Sequence, residues 1–272
     1  VDIDLPHLIK KTYRAVLDQE GKTPLKNFLL SKVMKNRRLF HFILRRTYLA
    51  QKPLVGKEPL IRHLPDFFGK EHGYRSLPKI AKIPFRDQWR QLRPEVVNPK
   101  YKIAFFGGCA IDFIYPEQGK ALLDILKRHD VQVEFPMDQT CCGLPALMAS
   151  EEETTREIAK HNLKAMDPVN YDYILTLCAS CGSHLKHNYL KIFKEDPEAP
   201  ADLKSFADKI IDFSSFMTNV LNVSSEEYKE TRKKVAYHSP CHLCRSLGVT
   251  EKPRKLIETA GYEYVQSEDE DV

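Results

Sequence analysis

Seven cysteines are the residues of this 272-residue sequence best able to do chemistry. Five of them follow the pattern C-x31-CC-x35-C-x2-C, formed by Cys109, the neighbours Cys141 and Cys142, and the pair Cys178 and Cys181. Adjacent cysteines do not readily form an ordinary disulfide with each other, but one turn that carries both offers two thiolates to a metal–sulfur core. Thiolates are soft ligands that suit iron–sulfur clusters and zinc alike. The pattern therefore predicts a metal site.

Several chemistries could use these five thiols. A structural zinc ion or a cubane iron–sulfur cluster takes four ligands and leaves one thiolate over, whereas a larger or open, non-cubane assembly could use all five. Cys178 and Cys181 alone would also fit a thioredoxin-like redox pair, and buried cysteines are often no more than small apolar residues. The complete pattern favours an iron–sulfur cluster, with zinc and inert or disulfide chemistry as the alternatives.

Short apolar strands are expected to position the cysteines. Strands are predicted over 102–108, 131–135 and 171–177, each just before one group of cysteines, and helices over 116–130 and 151–166. Strands that alternate with helices indicate an α/β fold with a parallel, Rossmann-like sheet and right-handed crossovers. Because the carboxyl ends of parallel strands meet at one edge of the sheet, the five cysteines should converge there.

Four glycines adjoin the cysteines: Gly107, Gly108, Gly143 and Gly182. They are expected to let the backbone approach a bulky inorganic core. Backbone amides at these turns could then donate hydrogen bonds to its sulfides, which is one influence on redox potential.

A weak repeat with an offset of 132 residues follows the cysteine pattern. Segment 103–105 maps onto 235–237 and Cys109 maps onto Cys241, and a helix and a strand are predicted after each copy. The same offset carries Cys141 to position 273, one past the last residue. We therefore expect the sequence to be truncated, with a second site begun at Cys241 and left incomplete.

Three further residues lie near Cys241. Cys244 has no cysteine counterpart in the first copy, where Asp112 stands, and is interpreted as a stray thiol. His238 and His242 flank Cys241. They are expected to hold loops by hydrogen bonds, with metal ligation or proton transfer as the alternative.

Residues 1–100 differ from the rest of the chain in their sequence pattern. A helix is predicted to end at Gly21, apolar residues recur at helical spacing over 26–50, and prolines are frequent over 51–100, which indicates a wrapping connector. The helix over 26–50 is expected to pack on its own domain, with a membrane or a partner as the alternative. Residues 195–232 are interpreted as a connector with one more helix, around 214–223.

Charge is divided unevenly along the chain, whose net charge is +5. Residues 1–100 hold 22 Lys and Arg against 9 Asp and Glu, whereas the remainder holds 20 against 28. A basic docking surface on the first segment is one explanation, and a solvated helical face is the other. No apolar run of about 18 residues appears, as a membrane span would need. Phosphate-loop, dinucleotide and basic–aromatic motifs are also missing, so we do not expect nucleic acid as a partner.

The cysteine pattern resembles the cysteine-rich CCG domain. Cys109, then Cys141-Cys142-Gly143, then Cys178-Ala179-Ser180-Cys181 are similar to the motif that occurs twice in the CCG-bearing subunit of heterodisulfide reductase and in iron–sulfur subunits of glycolate oxidase, anaerobic glycerol-3-phosphate dehydrogenase and lactate-utilisation complexes. YHSPCHLCRSLG, at 237–248, resembles the opening of a second copy, from which Cys244 departs. VDIDLPHLI and IPFRDQW resemble the chain that follows a ferredoxin domain in lactate-utilisation proteins.

The resemblance implies three parts: a helical connector at 1–100 that follows a missing ferredoxin domain, a first CCG domain at 101–232 and a truncated second one at 233–272. It implies that Cys109, Cys141, Cys142, Cys178 and Cys181 bind a [4Fe-4S] cluster, which is non-cubane in the best-understood members. An ordinary cluster, or zinc in one copy, is the alternative in other members.

The implied function is an electron-transfer component of an oxidoreductase that oxidises lactate or another 2-hydroxy acid and passes electrons towards quinone or another acceptor. Its partners would be a flavoprotein or another iron–sulfur subunit, in the cytoplasm or on the inner face of the membrane. Cluster-based disulfide reduction and a zinc-stabilised interaction module are the alternatives.

Overall fold

Short strands supply the sheets of this protein. The computed structural model describes residues 5–21, 28–52, 60–61, 77–231, 233–268 and 270. Within these residues the strands are β1 Leu60–Ile61, β2 Leu77–Pro78, β3 Tyr101–Phe106, β4 Val131–Glu134, β5 Tyr173–Thr176, β6 Ile210–Asp212, β7 Lys234–Val235 and β8 Glu263–Tyr264.

Helices connect and cover these strands. The longer ones are Leu5–Glu20, Arg37–Gln51, Phe85–Leu92, Pro116–Arg128, Glu152–Ala165 and Glu251–Thr259. Shorter helices are Gly108–Phe113, Leu144–Met148, Ala179–Ser183, Tyr189–Ile192, Leu203–Lys209 and Phe213–Ser215, with π-helical turns at Leu29–Val33, His184–Asn188, Phe216–Val220 and His242–Ser246 and 3₁₀ turns at Pro168–Asn170 and Ser225–Glu227.

The central sheet is parallel throughout, in the order β4-β3-β5-β6. After β3 the chain crosses to β4 on one side, and after β5 it crosses to β6 on the other. Connections that leave two neighbouring strands in opposite directions open a crevice at the carboxyl ends of those strands, where open α/β sheets bind ligands. The predicted α/β fold with a parallel sheet is confirmed.

Alternating side chains of β3 build a core on each face of the sheet. Ala104 and Phe106 pack on one face with helices such as Glu152–Ala165. Ile103 and Phe105 pack on the other, with residues of Pro116–Arg128 and of Phe85–Leu92. All four of these β3 side chains are fully buried, which explains why the strand reads as a continuous apolar run in the sequence.

Two elements differ from the sequence predictions. Residues 195–232 are not only a connector with one helix, because they also contain the helix Leu203–Lys209 and the edge strand β6. The apolar residues of 26–50 do not form one helix, because Asn36 caps a new helix there by accepting a hydrogen bond from the amide of Leu39 at 3.0 Å.

The N-terminal segment packs on the sheet domain through several side chains. Met34 lies in the core on one face, and Phe85 and Trp89 lie in the core on the other. Phe40 meets Phe113 edge to face, with ring centroids 5.9 Å apart. These contacts agree with a helix packed on its own domain. Much of the predicted wrapping connector, at 53–59 and 62–76, lies outside the described residues.

The second copy of the repeat forms a small parallel sheet. β7 pairs with β8 across the helix Glu251–Thr259, so the predicted order of strand, helix and strand is present, although each strand spans only two residues. It touches the first copy where the Ser183 and Ser246 hydroxyls lie 2.6 Å apart. In the described part of the chain, no helix combines the length and apolar character that crossing a membrane requires.

Candidate metal centre

The five cysteines of the motif all lie at the carboxyl edge of the sheet. Cys109 lies in the first turn of the helix that follows β3. Cys141 and Cys142 occupy the loop between β4 and the helix Leu144–Met148. Cys178 caps the short helix that carries Cys181, after β5. The convergence expected from a parallel sheet therefore brings these residues into one place.

Their thiols form a continuous chain of hydrogen-bond contacts. Cys109 contacts Cys141, Cys141 contacts Cys142, Cys142 contacts Cys181, and Cys181 contacts Cys178. All five thiols are free of disulfides. Five sulfur atoms from three separate loops thus meet at the carboxyl edge of the sheet.

The pKa is lowered for two of these thiols and raised for the other three. Hydrogen bonds from Cys141 and Cys181 lower the pKa of Cys142 to about 5, and a hydrogen bond from Cys181 lowers the pKa of Cys178 to about 6. The contact with Cys141, and then burial, raises the pKa of Cys109 well above its usual range. Contacts with Cys142 and Cys178, and then burial, raise the pKa of Cys181.

Opposing effects act on the pKa of Cys141. The hydrogen bond with Cys109 lowers its pKa, but the one with Cys142 and burial outweigh that effect, so its pKa is raised. Five thiols in mutual contact cannot all ionise in a buried site without positive charge to compensate them. Metal ions supply such charge and bind thiolates, so the donor set fits a metal–sulfur group.

The donors do not enclose a single ion as they stand. Among the described residues, no three or more His, Cys, Asp and Glu side chains are arranged to hold one metal ion. The contacting thiols number five, whereas a structural zinc site takes four ligands in a tetrahedral arrangement. A set of five thiol donors suits a group that contains several metals better than a lone ion.

Two glycines shape the turns around the thiols. Gly108 has φ +58°, and a Cβ there would lie 3.3 Å from the sulfur of Cys181. Gly143 has φ +93°, and a Cβ there would lie 3.2 Å from Ile158. Only glycine adopts such backbone angles without strain, so both positions favour it.

The other two glycines lie close to neighbouring side chains. A Cβ at Gly107 would lie 2.9 Å from the ring of Phe135, and one at Gly182 would lie 3.2 Å from the methyl of Thr176. They allow close packing of the loops on neighbouring side chains. Of the four glycines, Gly108 is the one where an added Cβ would meet a thiol. The expectation that all four let the backbone approach an inorganic core stays a prediction.

Backbone amides point at the sulfurs. The amides of Gly143 and Leu144 bond the thiols of Cys141 and Cys142, respectively, and each bond lowers the pKa of its partner. The amide of Cys181 bonds the sulfur of Cys178 at 3.4 Å. Amides that bond sulfur stabilise negative charge on it, which agrees with the predicted use of these turns.

The sequence analysis missed the residues that hold the two adjacent cysteines in place. Asn162 accepts a hydrogen bond from the amide of Thr140 at 2.9 Å and donates one to the carbonyl of Cys141 at 3.0 Å. The Tyr189 hydroxyl donates to the carbonyl of Cys142 at 2.8 Å. The available signal was the position of Asn162, which falls on the apolar stripe of its helix.

A glutamine links the loop of these cysteines to the central strand. Gln139 accepts a hydrogen bond from the amide of Gly107 at 2.9 Å and donates one to the carbonyl of Phe105 at 3.0 Å. One buried side chain therefore ties the end of β3 to the residues before Cys141. Nothing in the sequence pattern singles out this glutamine.

The remaining candidate residues lie in the second copy. Cys241 is exposed and Cys244 is partly buried. The contacts that join the five thiols do not extend to either of them in the described residues. His242 faces the buried His184, and burial and then this neighbour lower the pKa of His184 to about 4. The assignments of Cys241 and His238 stay predictions.

Residues 103–186, which hold all five thiols, match the family model of the CCG cysteine-rich domain. This part of the chain is a CCG domain. The match begins in β3, covers the complete cysteine motif and ends two residues beyond His184.

Three relatives are similar over a longer stretch. A fumarate reductase (CoM/CoB) subunit of Methanothermobacter marburgensis is 34% identical over 63% of this chain and 32% of its own length. An iron–sulfur protein of Methanococcus maripaludis is 37% identical over 60% of this chain and 30% of its own. "Lactate utilization protein A 2" of Bacillus cereus strain Q1 is 35% identical over 57% and 63%. The chain therefore spans less than two thirds of each.

Proposed function

We propose that this chain is an iron–sulfur component of an oxidoreductase and that its CCG domain carries electrons. The observation that supports this most strongly is the continuous chain of five free thiols at the crevice of the sheet. The names of the three relatives point the same way, since they describe a reductase subunit, an iron–sulfur protein and a lactate utilization protein.

In this proposal Cys109, Cys141, Cys142, Cys178 and Cys181 bind a [4Fe-4S] cluster of the open, non-cubane kind. When bound, such a cluster supplies one-electron chemistry. The chain's own residues place the thiolates: Asn162 and Tyr189 fix the turn that holds two of them. Burial of Cys141, Cys142 and Cys181, each 5% exposed or less, limits the access of water.

The finer parts of the proposal concern the substrate and the partners. The substrate would be lactate or another 2-hydroxy acid, oxidised on a flavoprotein or a second iron–sulfur subunit, with quinone as the acceptor. The basic residues of 1–100 would dock an acidic partner or anionic lipid. The division into parts at 1–100, 101–232 and 233–272 belongs to the same proposal, with Cys241 starting a second site.

A second function is favoured by one relative, whose name couples fumarate reduction to CoM and CoB. In that case the thiol cluster would take part in the cleavage of a disulfide rather than pass electrons on. The site would then need a ligand that reaches its sulfur atoms. The two functions differ in what reoxidises the reduced protein.

Anaerobic redox titration tests the proposal. The protein is purified without oxygen, reduced with dithionite and followed by its optical and electron paramagnetic resonance spectra. Reversible reduction, with reoxidation by a water-soluble quinone and not by a disulfide, supports electron transfer. Reoxidation by the disulfide alone favours the second function. A protein that binds zinc and gives no redox signal is an interaction module, and the proposal is then wrong.

A further inference from the structure

A small cavity lies against one end of the thiol chain. It measures about 10 Å³, which is room for about one water molecule. Cys109 and Cys141 line its inner wall, and the helix Arg37–Gln51 closes it on the other side through Phe40 and His41. The cavity thus joins the N-terminal segment to the end of the thiol chain.

Polar atoms point into this cavity without partners. Thr140 is only 5% exposed, and its hydroxyl has no hydrogen-bond partner among the residues the structure describes. The Nε2 atom of His41 also has no hydrogen-bond partner among the described residues, since the Asp87 carboxylate oxygen is 3.8 Å away. Buried polar groups are rarely left unsatisfied, so these two atoms indicate that something polar enters the cavity.

An open hollow adjoins the cavity on the outside. It measures about 380 Å³, and its lining has three cationic side chains, Lys35, Arg37 and Arg38, against one acid, Asp138, with Asn36 and His161 completing it. Lys35 is also paired with Glu157 at 2.7 Å. Cationic clefts attract anions and raise their rate of entry. The hollow therefore favours a negatively charged ligand.

Arg37 stands between the two spaces because it lines both of them. The guanidinium of Arg37 lies 2.9 Å from the carboxylate of Asp138, and it donates a hydrogen bond to the carbonyl of Met137. The Arg37 side chain is 26% exposed, and that of Asp138 is 74% exposed. Ion pairs at such exposure are weak, so the side chain can leave this position at low cost.

We propose that the hollow and the cavity form one entry path through which small carboxylate-bearing molecules reach Cys109 and Cys141, with Arg37 as the gate. The carboxylate would stay in the hollow, where guanidinium groups bind it, while the other end passes Arg37 towards the thiols. The path gives the proposed cluster site a class of ligand. It is built from side chains alone, so it can be tested without any metal.

Thiol alkylation of the reduced, metal-free protein tests this path. Iodoacetate and iodoacetamide both react with a thiolate to form a sulfur–carbon bond and release iodide, but only iodoacetate carries a carboxylate. The ratio of their rates at one cysteine cancels the thiolate fraction, and peptide mass spectrometry gives that ratio for each cysteine. At Cys109 we expect a ratio about tenfold above that at the exposed Cys241.

Arg37→Ala should change two rates in opposite ways. Opening the gate raises the iodoacetamide rate at Cys109, and loss of the charge lowers the preference for iodoacetate. Cys178 does not line the path, so its alkylation rates should stay unchanged. A rise in the rates at Cys178 would show that the variant is loosened as a whole. Lys127→Ala removes a distant cation as the matched control, and Arg38→Gln tests the hollow if Arg37→Ala does not fold. Equal ratios at Cys109 and Cys241, or no change in Arg37→Ala, would overturn the proposal whether or not the protein binds iron.

Discussion

The adjacent cysteines are held through their backbone carbonyls. Asn162 and Tyr189 bond the carbonyls of Cys141 and Cys142, and Asn162 also donates to the Tyr189 hydroxyl at 3.1 Å. Both side chains are fully buried. This arrangement fixes the turn and leaves the sulfur atoms free for metal. Loss of either side chain would destabilise the protein, because it would leave a buried polar group without its hydrogen-bond partner.

Tyr189→Phe tests this arrangement with the loss of one atom. The carbonyl of Cys142 would lose its donor, so we expect the free energy of unfolding to fall by about 1–3 kcal/mol, measured by urea denaturation. Tyr115→Phe is the control, since Tyr115 is 45% exposed and should change stability by less than about 0.5 kcal/mol. Equal stability of Tyr189→Phe and the unchanged protein would show that the bond to Cys142 contributes nothing.

His184 is a buried titratable residue three positions after Cys181. It is fully buried, its Nδ1 lies 3.1 Å from the amide nitrogen of the Asn188 side chain, and its Nε2 has no hydrogen-bond partner among the described residues. Burial and His242 lower its pKa to about 4, from an ordinary value of 6.5. The folded protein therefore keeps this ring neutral where the unfolded chain would bind a proton.

Stability should consequently depend on pH between these two values. The contribution of His184 is complete above pH 6.5 and is lost as the pH falls towards about 4, because only the unfolded state gains a proton there. Denaturation of the metal-free protein at several pH values should show this slope, and His184→Gln should flatten it. Nuclear magnetic resonance of the ring gives a direct check, and titration near pH 6.5 in the folded protein would contradict the account.

At the scale of elements, strand ends and tight turns bring the thiols together. β3, β4 and β5 end at the same edge, and each is followed by a turn that presents cysteines to the crevice. The turn of Cys141 and Cys142 depends on Gly143, whose φ is +93°. An L-residue in this region of backbone angles costs about 1–2 kcal/mol before any contact is considered.

Gly143→Ala and Gly248→Ala form a matched pair that separates strain from crowding. Gly248 also has a positive φ, +66°, but nothing lies within 4 Å of a Cβ built there, whereas a Cβ at Gly143 would meet Ile158 at 3.2 Å. We expect Gly248→Ala to lose about 1–2 kcal/mol of stability and Gly143→Ala to lose more. Thermal denaturation compares them. Equal losses would mean that Ile158 moves aside without cost.

The sequence predicted those elements whose side chains repeat a clear pattern. β3 is predictable because Ile103 to Phe106, which are buried on both faces of the sheet, form a continuous apolar run in the sequence. The convergence of the cysteines is then predicted from their positions just after such strands. β6 was missed because it has three residues, and the helix Phe85–Leu92 was missed because it lies among prolines and buries few apolar residues. The position of Asn162 on the apolar stripe of its helix signals a buried polar side chain, but its contacts with Thr140 and Tyr189 come from distant parts of the chain and cannot be predicted from that stripe.

At the scale of the whole molecule, a buried ion pair joins the N-terminal segment to the thiol site. The Arg86 side chain bonds Asp112 at 2.5 Å, and its amide bonds the same carboxylate at 3.0 Å. Asp112 is fully buried and lies one helical turn after Cys109. Burial raises the pKa of this carboxyl, and Arg86 acts against that shift. The first segment therefore contributes structure to the domain that holds the cysteines.

Arg86→Met tests this link. It leaves the carboxyl of Asp112 buried without its cation, so we expect a loss of about 3–5 kcal/mol in the free energy of unfolding. The double variant Arg86→Met/Asp112→Asn removes the uncompensated charge and should recover part of that loss. Denaturation of the four proteins in this cycle gives the coupling between the two residues. Additive losses would show that the ion pair is not what joins the two parts.

The most direct test of the five-thiol site is its metal and sulfide content. Iron, sulfide and zinc are measured in protein purified without oxygen, and in single serine variants of Cys109, Cys141, Cys142, Cys178 and Cys181, with Cys244→Ser as the control. We predict about four irons per chain with matching sulfide, an iron content that falls in each of the five variants, and no change in the control. Stoichiometric zinc without iron, or full iron in Cys142→Ser, would contradict an iron–sulfur cluster held by all five thiolates.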